Sequence, residues 1–198
     1  NQKDYSGSWT SISLRSATGN ATDIYAHSSG CFSDTDLLKK CGYFGKVLNQ
    51  IKCEKESVRL LCLAPGSEIK EHTDRELGYG FGNFRLHIPI KTDENVQFRV
   101  GGEDIRMNAG ECWYANFHLP HSVQHNGTEN RIHLVIDCLR NAWTDDWFAK
   151  AGYDFEEERK SKIPNPETVK RMMEELAHLN TEVALQLKQQ LQKDLTSF

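Results

Sequence analysis

The sequence predicts a mainly β domain, an antiparallel sandwich or barrel near the strand count of a jelly roll, with flanking helices and a C-terminal helical segment. Three observations lead there. Short strand-like runs recur about every ten residues, at Val58–Leu63, Glu68–His72, Phe84–Lys91, Val96–Val100, Glu103–Met107, Glu111–Phe117, Ser122–His125 and Arg131–Leu139. Turn formers separate them at Pro65-Gly66, Gly101-Gly102, Ala109-Gly110 and Asn126-Gly127, and the second and fourth of these suit tight hairpins that need positive φ. On either side of this stretch the apolar spacing becomes helical.

In order along the chain, residues 1–30 are rich in Ser, Thr, Gly and Asn and hold one strand-like piece, Trp9–Arg15, read as an edge strand without chemistry. From Ser33 or Asp34, either of which can cap a helix, Leu37, Leu38, Cys41, Phe44, Val47, Leu48 and Ile51 mark an amphipathic helix near 34–52 that packs on a sheet. After Asp137 the strand signals stop. Asn141–Phe148 reads as a segment closing one barrel end, and 151–163 as a charged linker. Asn165-Pro166 then caps and starts a helix whose stripe runs Val169, Met172, Met173, Leu176, Leu179, Val183, Leu187, Leu191. The expected division is 1–150, the β domain with its packing helix, and 151–198, the linker and helical segment.

Bulk properties exclude several classes. A formal charge of -4 and a pI near 6.1 do not suit a nucleic-acid binder, and no basic cluster tracks an aromatic stripe. No apolar run approaches the roughly 18 residues that span a bilayer. The six cysteines are scattered without a C-x-x-C pair, which points to reduced thiols and a cytoplasmic protein; Cys62, Cys112 and Cys138, inside strand-like runs, read as small buried hydrophobes.

The chemistry lies in the polar faces of the strands. Side chains two apart share a face, so Arg85 and His87 oppose Leu86, Ile88 and Ile90, while Arg131, His133 and Asp137 oppose Ile132, Leu134 and Ile136. Such polar faces usually meet water. Here they recur beside His72, Asp74, His121 and His125, and charged groups gathered on an inner face must pair or bind a metal. One His-x-Asp is weak by itself, since about half an occurrence is expected by chance. Two histidines and a carboxylate, however, can hold a ferrous ion on one face of an octahedron, and His72, Asp74 and His121 supply that set. An iron that activates O2 needs electrons, commonly from 2-oxoglutarate, whose far carboxylate needs a cation. Arg131, ten residues after His121 on the next strand, suits it through its planar fork.

The motifs Leu63-Ala-Pro-Gly-Ser-Glu-Ile-Lys-Glu-His72-Thr-Asp74, Arg85-Leu-His87-Ile-Pro-Ile90, Gly110-Glu-Cys-Trp-Tyr-Ala-Asn-Phe117, His121-Ser-Val and Arg131-Ile-His-Leu-Val-Ile-Asp137 resemble, in this order, the aspartyl/asparaginyl β-hydroxylase family of Fe(II)/2-oxoglutarate-dependent oxygenases. The resemblance implies a double-stranded β-helix, cupin-like core, iron at His72 and His121, and 2-oxoglutarate held by Arg131 with help from Arg85 and His87. In the animal aspartyl β-hydroxylase the position matching Asp74 is not a carboxylate. This chain is more similar to members with a full triad, the bacterial proline hydroxylases among them, and a carboxylate at the third protein site favours hydroxylation over halogenation.

The resulting expectation is a dioxygenase that uses Fe(II), 2-oxoglutarate and O2 to hydroxylate a C–H bond of an amino acid or of a peptidyl or carrier-bound residue. His125, Gln124 and Asn116 are candidate partners of the metal ligands, and Trp113, Tyr114, Trp143 and Trp147 candidate pocket walls. Arg75–Asn83 and the segment after Asn141 are the expected specificity loops. Two rivals fit the same residues: a cupin-like metal enzyme that does not use 2-oxoglutarate, and a non-catalytic binding protein with a vestigial site.

Overall fold

The computed structural model of the chain describes residues 4–25, 30–162, 165–179 and 181–196. They form two compact units, one within Asn1–Trp147 and one within Phe148–Phe198. The first is built from β1 (Tyr5–Ser6), β2 (Trp9–Ser16), β3 (Ser33–Asp34), α1 (Asp36–Lys40), α2 (Gly42–Leu48), β4 (Lys55–Leu63), β5 (Glu68–His72) and a 3-10 turn at Tyr79–Phe81. It continues through β6 (Asn83–Lys91), β7 (Val96–Val100), β8 (Glu103–Ile105), β9 (Trp113–Tyr114), β10 (His121–His125) and β11 (Arg131–Leu139). Every pairing is antiparallel. One sheet has the order β1-β5-β10-β7-β8 and the other β3-β2-β4-β11-β6-β9. This is the double-stranded β-helix, or jelly roll, with flanking helices.

The core lies between the sheets, where Leu63, Ile69, Phe98, Val100, Phe117 and Val123 are all buried. β11 runs through the middle of the larger sheet, and its residues from His133 to Cys138 are buried on both faces. Alternation puts Leu134 and Ile136 on one face and Arg131, His133 and Asp137 on the other. Gly7 lets the chain cross from β1 in one sheet to β2 in the other: its φ is +82°, and a Cβ there would lie 2.3 Å from Ser67 Oγ. That hydroxyl accepts the Ser8 amide at 2.9 Å.

Several local expectations change. β2 is not an edge strand, because it pairs with β4 along its length and carries the two-residue β3 outside it. The helix expected over 34–52 is two short helices broken at Cys41, whose φ of -105° and ψ of 66° leave the helical region. Its cap is Thr35, whose side chain takes the Leu38 amide and whose own hydroxyl donates to Leu14 O on β2 at 3.0 Å. Gly101 and Gly102, both at positive φ, do make the tight β7–β8 hairpin. Asn126-Gly127 does not make a hairpin, since β10 and β11 belong to different sheets and the turn is a crossover. Of Cys62, Cys112 and Cys138, only Cys138 is buried.

Helix α3 (Ala142–Lys150) carries the chain into the second unit; Asn141 Oδ1 caps it by accepting the Thr144 amide at 3.0 Å. The stretch read as a charged linker contains α4 (Phe155–Lys162), whose acidic first turn and basic last turn complement the helix dipole. Asn165 caps the next helix as expected. The stripe from Val169 to Leu191 is split between α5 (Pro166–Ala177) and α6 (Glu182–Thr196). Val169, Ala184 and Leu191 are buried, while Leu179, Val183, Leu185 and Leu187 are exposed. Among the described residues no helix is long and apolar enough to cross a membrane.

Candidate metal centre and its cavity

His72 ends β5 and His121 begins β10, and the register sets them directly opposite each other. Asp74 follows just beyond β5, tied down by its amide to Phe117 O at 3.0 Å. As a result one ligand atom from each of His72, Asp74 and His121 lies within 4.8 Å of the other two. Both imidazoles are oriented by backbone carbonyls two residues upstream, His72 Nδ1 to Lys70 O at 2.7 Å and His121 Nδ1 to Leu119 O at 3.0 Å. A carbonyl only accepts, so each Nδ1 carries the proton and each Nε2 presents a lone pair. Burial holds the His121 imidazole below its usual range, and the neighbouring His72 adds to the effect. Neutral imidazoles are the form that binds a metal.

Arg85 Nη1 donates to Asp74 Oδ2 at 2.5 Å, leaving Oδ1 for a ligand. The other edge of the guanidinium is held by Asp137, with Nε to Oδ1 at 2.6 Å and Nη2 to Oδ2 at 3.2 Å. At most two of the five arginine N–H groups therefore remain for anything else. Asp137 also accepts from Ser57 Oγ at 2.6 Å and Arg59 Nη2 at 2.7 Å. Burial alone would raise the Asp137 carboxyl, but Arg85 and Arg59 outweigh it and hold it well below the usual carboxylate range.

Beside this group, Arg131 is almost wholly buried, its guanidinium 5.3 Å from the centre of the Phe98 ring. Nη2 donates to His133 Nδ1 at 3.0 Å, and Nε has no partner. Burial pushes the guanidinium down to about 9, the sign that desolvation outweighs the ring contact and the single hydrogen bond, yet it stays charged at neutral pH. Among the described residues no carboxylate pairs with it. Because His133 Nδ1 accepts from Arg131, its proton lies on Nε2. His87 Nδ1 lies 3.3 Å from the same His133 nitrogen, whose one lone pair Arg131 already takes. Burial, with His133 and Arg131 adding to it, drives His87 far below the usual histidine range; burial and Arg131 push His133 down to about 2.

His72, Asp74, His121, Arg85, His87 and Arg131 line one cavity of about 380 Å³. Phe98, Phe117, Ile69 and Val123 form its apolar wall, and Asp4, Tyr5, Trp9, Thr10, Ser11, Ile24 and Arg59 border the rest. All six residues singled out as site residues are thus brought together. The donor set suits a single divalent ion, and the unpartnered Nε of a buried arginine suits an anion.

Other expectations are redirected. The four aromatics proposed as walls do not line this cavity: Trp113 donates to Glu111 at 2.7 Å, Tyr114 OH accepts the Tyr79 amide at 2.9 Å, and Trp143 and Trp147 lie against each other with their rings tilted by 42°. His125 clamps its own turn through Glu129 O and the Gly127 amide, Asn116 Oδ1 accepts the His118 amide, and Gln124 is exposed. Of the expected specificity loop, Arg75, Glu76, Leu77 and Asn83 border a second cavity of about 470 Å³ that shares Asp74, Arg85 and Asp137. Arg59 and the N-terminal wall are not singled out by the sequence, and His133 and Asp137, placed on the inner face, carry no assigned role there. Tyr5 and Trp9, ring centres 5.7 Å apart in a stretch otherwise of small polar residues, were the one available signal for that wall.

An antiparallel jelly roll with a His/Asp/His group and a buried arginine in one cavity defines the class of candidate mononuclear metal proteins built on this barrel. The chain belongs to the aspartyl/asparaginyl beta-hydroxylase family, whose model matches residues 1–141. It is similar to the L-proline cis-4-hydroxylase of Rhizobium meliloti (strain 1021), with 25% identity over 146 residues, 71% of this chain and 51% of that protein. The chain thus spans about half the length of that curated relative. Similar solved structures include the cupin domain of an XRE family transcriptional regulator from Enterobacter cloacae, with a TM-score of 0.35, 15% identity, and coverage of 43% of this chain and 82% of that one. Another is a cupin 2 conserved barrel domain protein from Salinispora arenicola, with a TM-score of 0.33, 18% identity, and coverage of 48% and 71%.

Proposed function

We propose that the protein is an Fe(II)/2-oxoglutarate-dependent dioxygenase that hydroxylates a C–H bond of an amino acid, free or within a peptide or carrier-bound group. The observation that carries this reading is the convergence of three ligand atoms within 4.8 Å in the same cavity as a buried arginine without an acidic partner. Membership of a hydroxylase family and the likeness to a proline hydroxylase support it.

In this reading His72 and His121 hold the ion through Nε2 and Asp74 through Oδ1. When bound, iron with 2-oxoglutarate and O2 supplies the oxidation: the keto acid leaves as succinate and CO2, and one oxygen atom enters a C–H bond. Arg131 binds the far carboxylate of 2-oxoglutarate, where a desolvated guanidinium and a planar fork favour two parallel hydrogen bonds. Arg85, already engaged at both edges, and His87 border that group. Phe98, Phe117, Ile69 and Val123 keep water from it.

Purified protein supplied with Fe(II), 2-oxoglutarate and a panel of amino acids and short peptides is expected to release succinate and to give one product heavier by one oxygen. Succinate at background with every candidate, together with no measurable affinity for a divalent ion, would overturn the reading.

A further inference from the structure

Asp74, Arg85, Asp137 and Arg59 form one hydrogen-bonded line of alternating charge. Arg85 and Asp137 occupy directly paired positions on β6 and β11, and the β11–β4 register slips between Ile136 and Cys138, at Asp137. Bulges of this kind re-aim a side chain, and here the re-aimed carboxylate collects Arg85, Ser57 and Arg59 together.

The geometry of Arg85 has a chemical consequence. A guanidinium left alone with one carboxylate tends to close on it with two parallel hydrogen bonds, which would occupy both oxygens of Asp74. Asp137 prevents this by taking the Nε and Nη2 edge, so that only Nη1 reaches Asp74, at 2.5 Å on Oδ2. Resting on the metal-centre reading above, we propose that Asp137 is a positioning residue for that centre: through Arg85 it holds Asp74 with Oδ1 free for the ion. Ser57 and Arg59 fix Asp137 in turn. Without the Asp137 charge, two buried guanidinium groups are left with one carboxylate between them, and Arg85 closes on Asp74 in competition with the metal.

The test titrates metal-free protein with Co(II) by calorimetry and records melting temperature without the ion. Asp137→Asn is expected to weaken Co(II) binding about 10- to 100-fold, the range for loss of a partner that orients a ligand. Arg85→Lys is expected to do the same while keeping the charge, because an ammonium cannot span both carboxylates in fixed directions. A purely structural role for Asp137 predicts a lower melting temperature with wild-type Co(II) affinity in the folded variant, and that result overturns the proposal. If Asp137→Asn does not fold, Arg85→Lys decides, with unchanged affinity again overturning it. Wild-type protein that binds no Co(II) would overturn the metal-centre reading and this proposal with it, whereas wild-type binding with indifferent variants overturns this proposal alone.

Discussion

His72 and His121 stand opposite each other on β5 and β10 with ring centres 4.2 Å apart, each with its Nδ1 proton committed to a carbonyl. Two bare Nε2 atoms therefore share one space with a carboxylate oxygen. Removing either ring is expected to lower divalent-ion affinity more than about 100-fold, beyond the usual effect of an outer partner. Calorimetric titration of His72→Ala and His121→Ala with Co(II) measures it, and wild-type affinity in either variant would contradict the assignment.

Arg131 yields a prediction in which stability and function part. Among the described residues no carboxylate meets its buried guanidinium, so Arg131→Met removes a desolvated charge from the ligand-free protein. An apolar side chain of similar length takes away the desolvation cost of that unpaired charge. The ligand-free variant is thus expected to melt at or above the wild-type temperature. At the same time it should lose 2-oxoglutarate binding by at least about 30-fold, the low end for removing one partner of a buried charged contact. Melting curves with and without 2-oxoglutarate read both: the cosubstrate should raise the wild-type melting temperature and leave the variant unmoved.

The metal-free fold should weaken in mild acid, and histidine rather than aspartate should be the cause. His87 and His133 are held neutral by burial, His133 down to about 2, against 6.5 for a free imidazole. Unfolded chain binds those protons first, so stability is fully present above about pH 6.5 and falls below it, by roughly 1.4 kcal/mol per pH unit for each group. Asp137 lies on the other side: its pKa is depressed, so its contribution persists until the pH falls below about 3.8. Denaturant unfolding at pH 7 and pH 5 should show the loss, and His133→Gln should lessen it. An unfolding free energy that does not change between these values would refute the neutral burial of these two histidines.

Tyr79 joins the turn before β6 to α3. Its hydroxyl meets Thr144 Oγ1 at 3.0 Å and Asp145 Oδ1 at 2.7 Å, and its ring lies 4.5 Å beneath Arg140. Tyr79→Phe keeps the ring but removes both hydroxyl hydrogen bonds, one of them to a carboxylate, a loss of about 1–3 kcal/mol. Thermal unfolding should report a drop of several degrees, with Co(II) affinity unchanged.

What the chain determined by itself was whatever follows from period and residue type. Alternating apolar residues marked the long strands from β4 to β11, and His72, Asp74, His121 and Arg131 could be singled out because their side-chain chemistry is rare on an inward strand face. Tertiary structure decided what depends on register and burial. Only the pairing of β6 with β11 shows Asp137 gripping Arg85, and only the fold of β1 and β2 across the barrel brings Tyr5 and Trp9 to the cavity. The short helices broken at Cys41 and between α5 and α6 escaped notice because apolar spacing persists through the break. The physical reason is common to all of these: spacing along a chain records which face a residue takes, while the partner across that face is chosen by strands tens of residues away.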